Sequence, residues 1–299
     1  MAVTRPAQDT IESRDLAAVG ERRGRLRVVR RMVKHTGGMI GFVMLLLLIA
    51  VAIFAPVFAP YNPIEISADV LKSPSASHIM GTDNFGRDIF SRVIYGARVS
   101  LRMGFIAIAI ATVIGTTMGI VAGTYGGWID SSLMRLVDAM MAFPGILLAL
   151  AITAMLGTGL RNAMVAVGIS FIPSFARLVR ASTLQVRGTT YVEAAQSIGC
   201  RTSRLIYRHI LPNVLTPVLV LATLGVASAI LIGAALSFLG LGAQPPTAEW
   251  GIMLADGRQF MRSAWWIMAF PGLAITITVM AANLIGDGLR DAFDPRLRI

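Results

Sequence analysis

Charged residues are scarce in this sequence. Asp, Glu, Lys and Arg make up 14% of the 299 residues, whereas hydrophobic residues make up 55%. The mean hydropathy is +0.70. A folded soluble domain needs more charge than this to cover its surface. The composition therefore argues against one or two soluble domains and predicts a chain that lies in a lipid membrane.

Residues that commonly perform catalysis or bind metals are also few. The single cysteine, Cys200, excludes an internal disulfide, and no two of the three histidines (His35, His78 and His209) stand at a spacing typical of metal ligands. The sequence contains neither a G-x-x-x-x-G-K-S/T phosphate-binding loop nor a recognisable Ser/His/Asp set. We therefore predict no catalytic residue, no metal ligand and no cofactor on this chain.

The hydrophobic residues fall into six runs, and about twenty apolar residues suffice to cross a bilayer. We predict an all-α integral membrane protein with six transmembrane helices and both termini in the cytoplasm. The predicted spans are residues 39–60, 99–125, 133–156, 162–178, 214–236 and 265–285. The other predicted parts are a basic cytoplasmic tail (1–38), an extracytoplasmic loop (61–98), a core (99–290) with a cytoplasmic loop (179–212), and a cytoplasmic tail (291–299).

The lysines and arginines support this orientation. Of the 27 basic residues, 19 fall on the predicted inner side and seven on the outer side, as the positive-inside rule requires. The net charge of +11 could also indicate nucleic-acid binding, but the basic residues lie at the chain ends and in loops, with no reading module around them. The basic tail can also contact anionic lipid. Cleavage near the small residues 55–60, as in a signal peptide, is the alternative to an uncleaved first helix.

Several predicted spans contain residues that disturb an apolar helix. Asp138 is the one acidic residue inside a span, and Arg135 lies three residues before it, so we predict that the two pair on one helix face. A proton or ion relay would need further intramembrane carboxylates. Helix breakers indicate packing kinks or, in the short fourth span, a transport path. Those in the third to sixth spans are Pro144, Pro173, Pro217 and Pro271.

The polar stretch 189–213 lies between two apolar runs and predicts two short helices. In the first helix Thr190 and Glu193 can form a capping box, and Gly199 can end the helix in the left-handed conformation. Helical spacing places four residues on one face: Tyr191, Ala194, Ala195 and Ile198. This face either packs on the protein itself or docks a partner, and its two alanines would let another backbone approach closely.

The second half of this stretch begins at Thr202 or Ser203, either of which can cap a helix. Proline has no backbone N–H to donate, so Pro212 should stop or bend that helix. On the other side of the membrane, residues 78–101 carry glycines and charged residues, among them Arg87 and Arg92 with Asp88. We predict an ordered turn there, followed by an amphipathic lead-in to the second span.

Three features at fixed spacing resemble the EAA loop of ABC-importer permeases. Glu193-Ala194-Ala195 is followed after three residues by Gly199 and then by Leu211-Pro212. One position departs from the family pattern, because His209 stands where the family usually has isoleucine two residues before the Leu-Pro pair. In that family the loop is the coupling helix, which sits in a cleft of the ATPase subunit.

The outer loop carries GTDxxGRDxxSRxxxGxRxSL, which resembles the N-terminal signature of the second permease of dipeptide, oligopeptide and nickel ABC importers. Residues 236–254 (LSFLGLGAQPPTAEWGIML) and 270–298 also resemble that subfamily. The resemblance extends from about residue 25 to the end of the chain and is greatest to dipeptide and glutathione-type permeases.

This resemblance implies a type I ABC-importer permease in the inner cell membrane. Its partners would be a homologous permease, two ATPase subunits and an extracytoplasmic solute-binding protein, with ATP hydrolysis on the partners and no nucleic acid involved. Dipeptides or oligopeptides are the implied cargo, with glutathione, nickel or another small solute as alternatives. A self-standing channel or carrier, or an intramembrane enzyme, are rival classes. The residues that would couple to the ATPase are Tyr191, Glu193, Ala194, Ala195, Gly199, Leu211 and Pro212.

Overall fold

The computed structural model of the chain describes residues 35–293. The predictions for residues 1–34 of the basic tail and for 294–299 of the final tail lie outside the described residues. Within the described range every regular element is a helix, and extended pairing is confined to an isolated bridge between Thr82 and Asp88.

The helices are numbered here in chain order. They are α1 (Thr36–Ile53), α2 (Ala55–Phe58), α3 (Ile89–Tyr125), α4 (Gly127–Met141), α5 (Gly145–Leu156), α6 (Leu160–Arg187), α7 (Thr190–Ser197), α8 (Thr202–Leu205), α9 (Leu211–Phe238), α10 (Trp250–Gly257) and α11 (Trp266–Phe293). A π turn, Ile206–Ile210, joins α8 to α9. We call the end of the molecule that carries α7 the inner end and the opposite end the outer end.

The prediction of six membrane crossings is confirmed. Five helical segments are long and apolar enough to cross a bilayer: α1, α3, α6, the continuous segment Thr202–Phe238, and α11. The bent pair of α4 and α5, whose halves meet at 93°, makes the sixth crossing when it is counted as one broken span. The bend lies at Pro144, which directly precedes α5. Pro144 is one of the predicted helix breakers, and it bends the span because proline cannot continue the hydrogen-bond ladder of α4.

The helices differ in length from the predicted spans. α3 begins at Ile89, ten residues before the predicted second span, because the side chain of Asp88 accepts a hydrogen bond from the backbone N–H of Ser91. Residues 89–98 of α3 form the predicted lead-in to that span. α6 has 28 residues, more than the predicted fourth span. α1 ends at Ile53, and the short helix α2 follows within the predicted first span.

Glycines on α3 allow it to pack closely along α6. A Cβ on Gly119 would lie 2.6 Å from the carbonyl oxygen of Ala176 and 2.6 Å from Cβ of Val179. Gly115 and Gly123, one turn away on either side, approach α6 equally closely. Small residues at four-residue spacing are a common way for membrane helices to approach each other. This packing fixes α6 and the inner loop that follows it.

The outer end is a folded unit that we call the outer cap (residues 61–88 and 239–265). Within it, Nε of Arg87 lies 2.6 Å from Oδ2 of Asp83, and Nη2 of Arg87 lies 3.3 Å from Oδ2 of Asp256. Arg92 is buried beside the same carboxylate of Asp83 at 3.6 Å. The predicted ordered turn is thus confirmed, and its charges are paired with each other inside the protein.

Glu249 ties the second half of the outer cap to α3. Its fully buried carboxylate accepts hydrogen bonds from the backbone N–H groups of Gly251 and Ile252 at the start of α10, and Oε1 lies 3.2 Å from the hydroxyl of Ser100 on α3. Burial raises the pKa of Glu249, while the bonds from the two backbone N–H groups oppose that rise.

Candidate functional site

The candidate site is the inner loop built from α7, α8 and the π turn. The chain enters α7 at Thr189, whose backbone is extended with φ −87° and ψ 140°. The backbone N–H of Glu193 donates to the carbonyl oxygen of Thr189 at 3.1 Å. The predicted capping box at Thr190 is wrong, because the helix is preceded by Thr189, whose side chain makes no capping bond and donates to the carbonyl oxygen of Val186.

The predicted role of Gly199 as the end of this helix is confirmed. Gly199 has φ +81°, the left-handed conformation that favours glycine. Its N–H donates to the carbonyl oxygen of Gln196 at 2.9 Å, and the N–H of Cys200 donates to that of Ala195 at 3.1 Å. These two bonds form a Schellman motif. The motif satisfies the last carbonyls of α7 and turns the chain sharply toward α8.

Most of α7 is not covered by the rest of the chain. Val192 is fully buried and anchors the helix. On the other side Tyr191 is 48% exposed and Ile198 is 87% exposed, and Glu193 and Ala194 are also exposed. Val192 and, in part, Ala195 therefore pack against the protein itself, whereas Tyr191, Ala194 and Ile198 of the predicted face remain exposed.

The second half of the loop differs from its prediction. The residue before α8 is Arg201, and neither Thr202 nor Ser203 caps the helix with its side chain. Pro212 does not end the helix either. The π turn just before it, in which the N–H of Leu211 donates to the carbonyl oxygen of Ile206, keeps the chain helical through the proline. The loop therefore continues directly into a segment that crosses the membrane.

A hydrogen bond links α7 to the start of that segment. Nδ2 of Asn213 donates to the hydroxyl oxygen of Tyr191 at 3.1 Å and to the carbonyl oxygen of His209 at 2.6 Å. The rings of Tyr191 and His209 lie 5.9 Å apart, centroid to centroid. His209, where the family pattern has isoleucine, thus lies against the tyrosine of α7. A displacement of α7 would reach α9 through these contacts.

A basic groove of about 690 Å³ lies between the end of α7 and the π turn. Its apolar wall includes Ala195 and the exposed Ile198. Its basic residues are Arg201, Arg204, Arg208 and His209. The groove therefore combines positive charge with an uncovered apolar surface, which is suited to contact with an acidic protein surface.

A second polar cluster consists of two ion pairs between α4 and α6. Of its four charged residues, only Asp138 could be singled out from the sequence. Oδ1 of Asp138 accepts a hydrogen bond from Nη2 of Arg177 at 2.6 Å. The predicted pairing of Asp138 with Arg135 is therefore wrong. Closer to the inner end, Nη2 of Arg180 donates to Oδ2 of Asp130 at 2.6 Å. Both arginines belong to α6, and both carboxylates belong to α4.

A metal centre is not formed by the described residues, where no three His, Cys, Asp or Glu side chains lie together as ligands. His78 is instead held between two carboxylates of the outer cap. Its Nδ1 lies 2.9 Å from Oδ1 of Asp88, and its Nε2 lies 3.5 Å from Oδ2 of Asp69.

Known families cover most of this chain. One described as "Binding-protein-dependent transport system inner membrane component" matches residues 115–299, and one described as "N-terminal TM domain of oligopeptide transport permease C" matches residues 26–74.

Named relatives are similar over nearly their whole length. The dipeptide transport system permease protein DppC of Alkalihalophilus pseudofirmus is 48% identical over 270 residues, which cover 90% of this chain and 89% of that protein. The glutathione transport system permease protein GsiD of Pectobacterium atrosepticum is 46% identical over 271 residues, which cover 90% of each chain.

A solved structure shares the fold. A chain of the MetNI methionine ABC transporter in an inward-facing conformation matches with a TM-score of 0.56 at 20% identity, and the match covers 69% of this chain and 98% of that chain. The family match and the relatives confirm the resemblance drawn from the EAA-like loop and the outer-loop signature. This chain belongs to the family of binding-protein-dependent transport system inner membrane components and is a multi-pass membrane permease of an ABC importer.

Proposed function

We propose that this permease imports dipeptides or short oligopeptides and is driven through residues 179–212 by ATPase subunits. It forms the translocation path together with a homologous permease, binds two ATPase subunits at its inner end, and receives cargo from an extracytoplasmic solute-binding protein at its outer end. The observation that supports this most is the uncovered helix α7, anchored by Val192 and linked through Tyr191 to a membrane-crossing segment.

Each coupling residue has a physical role in this proposal. The face with the exposed Tyr191 and Ala194 and the partly buried Ala195 enters a cleft of the ATPase, where the small alanines permit close backbone approach. Glu193 lies in the first turn of α7, where a carboxylate complements the helix dipole. Gly199 makes the turn that sets α7 at its angle to the π turn.

Leu211 and Pro212 would carry the motion into the membrane. Leu211 is partly buried at the start of α9, and Pro212 occupies the first turn of that helix, where its missing N–H costs least. When ATP closes the ATPase dimer, α7 moves with it, and the segment from Thr202 to Phe238 tilts as one body. The path between the two permeases then opens to the outer side and accepts cargo.

The cargo is inferred from relatives. The relative from Alkalihalophilus pseudofirmus is named for dipeptide transport and the one from Pectobacterium atrosepticum for glutathione transport, at 48% and 46% identity. Glutathione is itself a tripeptide, so both names belong to one chemical class. Dipeptides or short oligopeptides are our proposal, and glutathione is the alternative.

A pair of matched glycine variants tests the coupling role. Gly240 has φ +80° and closes α9 at the outer end with the same two-bond motif that Gly199 forms at the inner end, and nothing lies within 4 Å of a Cβ built on either residue. Valine at either position costs about 1–2 kcal/mol of backbone strain. The two variants therefore carry the same local penalty at opposite ends of the molecule.

We expect Gly199→Val to insert in the membrane but to lose co-purification with the ATPase subunits, and Gly240→Val to retain it. The measurement is affinity purification in mild detergent with mass spectrometry of the co-purifying chains, followed by peptide uptake in membranes with equal amounts of each variant. Equal ATPase recovery and equal uptake for both variants would contradict a docking role for the inner loop.

A further inference from the structure

The uncovered face of α6 is polar, although α6 crosses the membrane. Ser170, Ser174 and Arg177 recur at helical spacing on this face, with Ser174 and Arg177 exposed. The buried face of the same helix is apolar and includes Phe175 and Val179. A membrane helix that met lipid on its uncovered side would show the opposite pattern, because polar side chains in the hydrocarbon are costly.

The ion pair between α6 and α4 lies inside two of the predicted spans, 133–156 and 162–178. Arg177 is ten residues before the end of α6 at Arg187, which at 1.5 Å per residue is about 15 Å along the helix. The Arg177 side chain is 53% exposed, and that of its partner Asp138 is 64% exposed. Two charged groups that stay this accessible on helices that cross the membrane require either water or a polar partner in front of them.

Asp138, the partner of Arg177, lies on α4, the first half of the broken span. Apart from Val137, the described residues of α4 are exposed or only partly buried, and α4 ends at the break that Pro144 introduces. Asp138 therefore projects from a part of the molecule that its own chain leaves uncovered. The second pair, Asp130 with Arg180, lies nearer the inner end and is less exposed.

We propose that Asp138 and Arg177 form a charge-compensating station on the wall of the water-filled translocation path, where the ammonium and carboxylate groups of a zwitterionic peptide meet a carboxylate and a guanidinium. This proposal rests on the proposed peptide cargo. A carboxylate such as Asp138 accepts from an ammonium group, and a guanidinium binds a carboxylate with two parallel N–H groups.

An exposed ion pair can exchange its partners for the charged groups of the cargo, which suits Asp138 and Arg177 to the wall of the path. The pair is joined by a single short hydrogen bond and leaves donors and acceptors free. A passing zwitterion can take both partners at once, so neither the cargo nor the wall is left with an uncompensated charge in the membrane. A neutral wall would offer no such compensation, and a wall of one sign would trap cargo of the other sign.

The first experiment asks whether this face meets water, and it does not depend on the cargo. In a Cys200→Ser background, single cysteines replace Ser174 on the polar face and Leu47 on α1, an apolar helix where Leu47 is 61% exposed. The probe is a membrane-impermeant, positively charged methanethiosulfonate reagent. We expect Ser174→Cys to react, at a rate that changes when ATP is added, and Leu47→Cys to stay unmodified. An unreactive Ser174→Cys in every state would overturn the path assignment and place the sister permease or lipid on this face.

The second experiment asks whether the pair senses cargo charge. Asp138→Asn leaves Arg177 alone and should depress uptake of a dipeptide with a lysine side chain relative to one with a glutamate side chain. Arg177→Gln should shift the same ratio in the opposite direction, by roughly threefold or more for each variant. Each ratio is compared with that of the unmodified protein, so the preference of the solute-binding protein cancels.

The outcomes separate this proposal from a structural role and from the proposed function. If both variants lower uptake of the two dipeptides equally, the pair only holds α4 against α6 and the station is wrong. If the unmodified protein takes up no peptide while Ser174→Cys still reacts, the peptide assignment fails and the path assignment stands. Membrane levels of each variant, measured by immunoblot, normalise the uptake.

Discussion

The two ends of this permease treat their charged and apolar residues in opposite ways. In the outer cap Asp83, Arg87 and Arg92 are buried and satisfied by one another and by the backbone. In the inner loop Ile198 is 87% exposed, and the basic groove beside it is open. Among the described residues, the buried charged side chains of the first region are paired within the chain, although Oδ1 of Asn84 is buried there without a partner. The second region leaves its apolar and basic surface uncovered.

This difference indicates that the outer cap is rigid and that the inner loop contacts other chains. A buried polar network in which every member is satisfied holds a unique conformation, and removing one member leaves the others uncompensated. The inner loop is anchored only by a few contacts, such as the burial of Val192. Changes in the buried charge network of the outer cap should therefore damage the fold of this chain, and changes on the uncovered surface of the inner loop should damage its association with other chains.

The largest expected effect is on the buried charges of the outer cap. Replacing Arg87 by methionine leaves the buried carboxylate of Asp83 without its partner at 2.6 Å and removes the contact to Asp256. Breaking a buried pair in this way costs about 3–5 kcal/mol. We expect a clear drop in the thermal unfolding temperature of the detergent-purified complex.

The matched control for this change is Lys72→Met. Lys72 forms an equally short ion pair with Asp69 at 2.6 Å, but both side chains are exposed. Exposed pairs contribute little because water screens them, so the unfolding temperature should not move measurably. Similar losses for Arg87→Met and Lys72→Met would show that burial does not distinguish the outer cap.

A smaller effect is expected from Tyr191→Phe in the inner loop. The change removes the hydroxyl that accepts the hydrogen bond from Asn213 and keeps the ring against His209. Loss of one such bond costs about 0.5–1.5 kcal/mol. We expect a nearly unchanged unfolding temperature together with fewer peptides imported per ATP hydrolysed in proteoliposomes. An unchanged ratio of uptake to hydrolysis would mean that motion passes from α7 to α9 without this bond.

Much of the fold could be predicted because its signals are local. The apolar runs that gave six crossings need only the sequence itself, and Gly199 ends α7 because few other residues adopt φ +81° without strain. The predictions were wrong where a residue distant in the sequence determined the local structure. Arg92, for example, is buried beside Asp83, and only the folded outer loop brings the two side chains together.

The partner of Asp138 shows the same limit. Arg135 was the nearest candidate along one helix, but Arg177 lies 39 residues further along the chain and becomes a neighbour only when α6 packs beside α4. Pro212 failed as a stop signal for a different reason. The π turn before it widens the helix, and no pattern of residue types in Ile206–Ile210 indicated that turn.

The substitution Ile198→Ser should have the smallest effect on the stability of this chain. It also gives the sharpest test of the comparison between the outer cap and the inner loop. Because Ile198 is 87% exposed, the change removes almost no burial within the chain, and its unfolding temperature should stay the same. If the inner loop docks a partner, the same change removes apolar surface from that interface and should weaken ATPase binding roughly tenfold, since a buried side chain of this size contributes about 1.5–3 kcal/mol. The measurement is titration of the purified permease complex with its ATPase subunits. Unchanged affinity would mean that Ile198 is exposed in the assembled importer as well, and the docking surface would then narrow to the face of Tyr191 and Ala194.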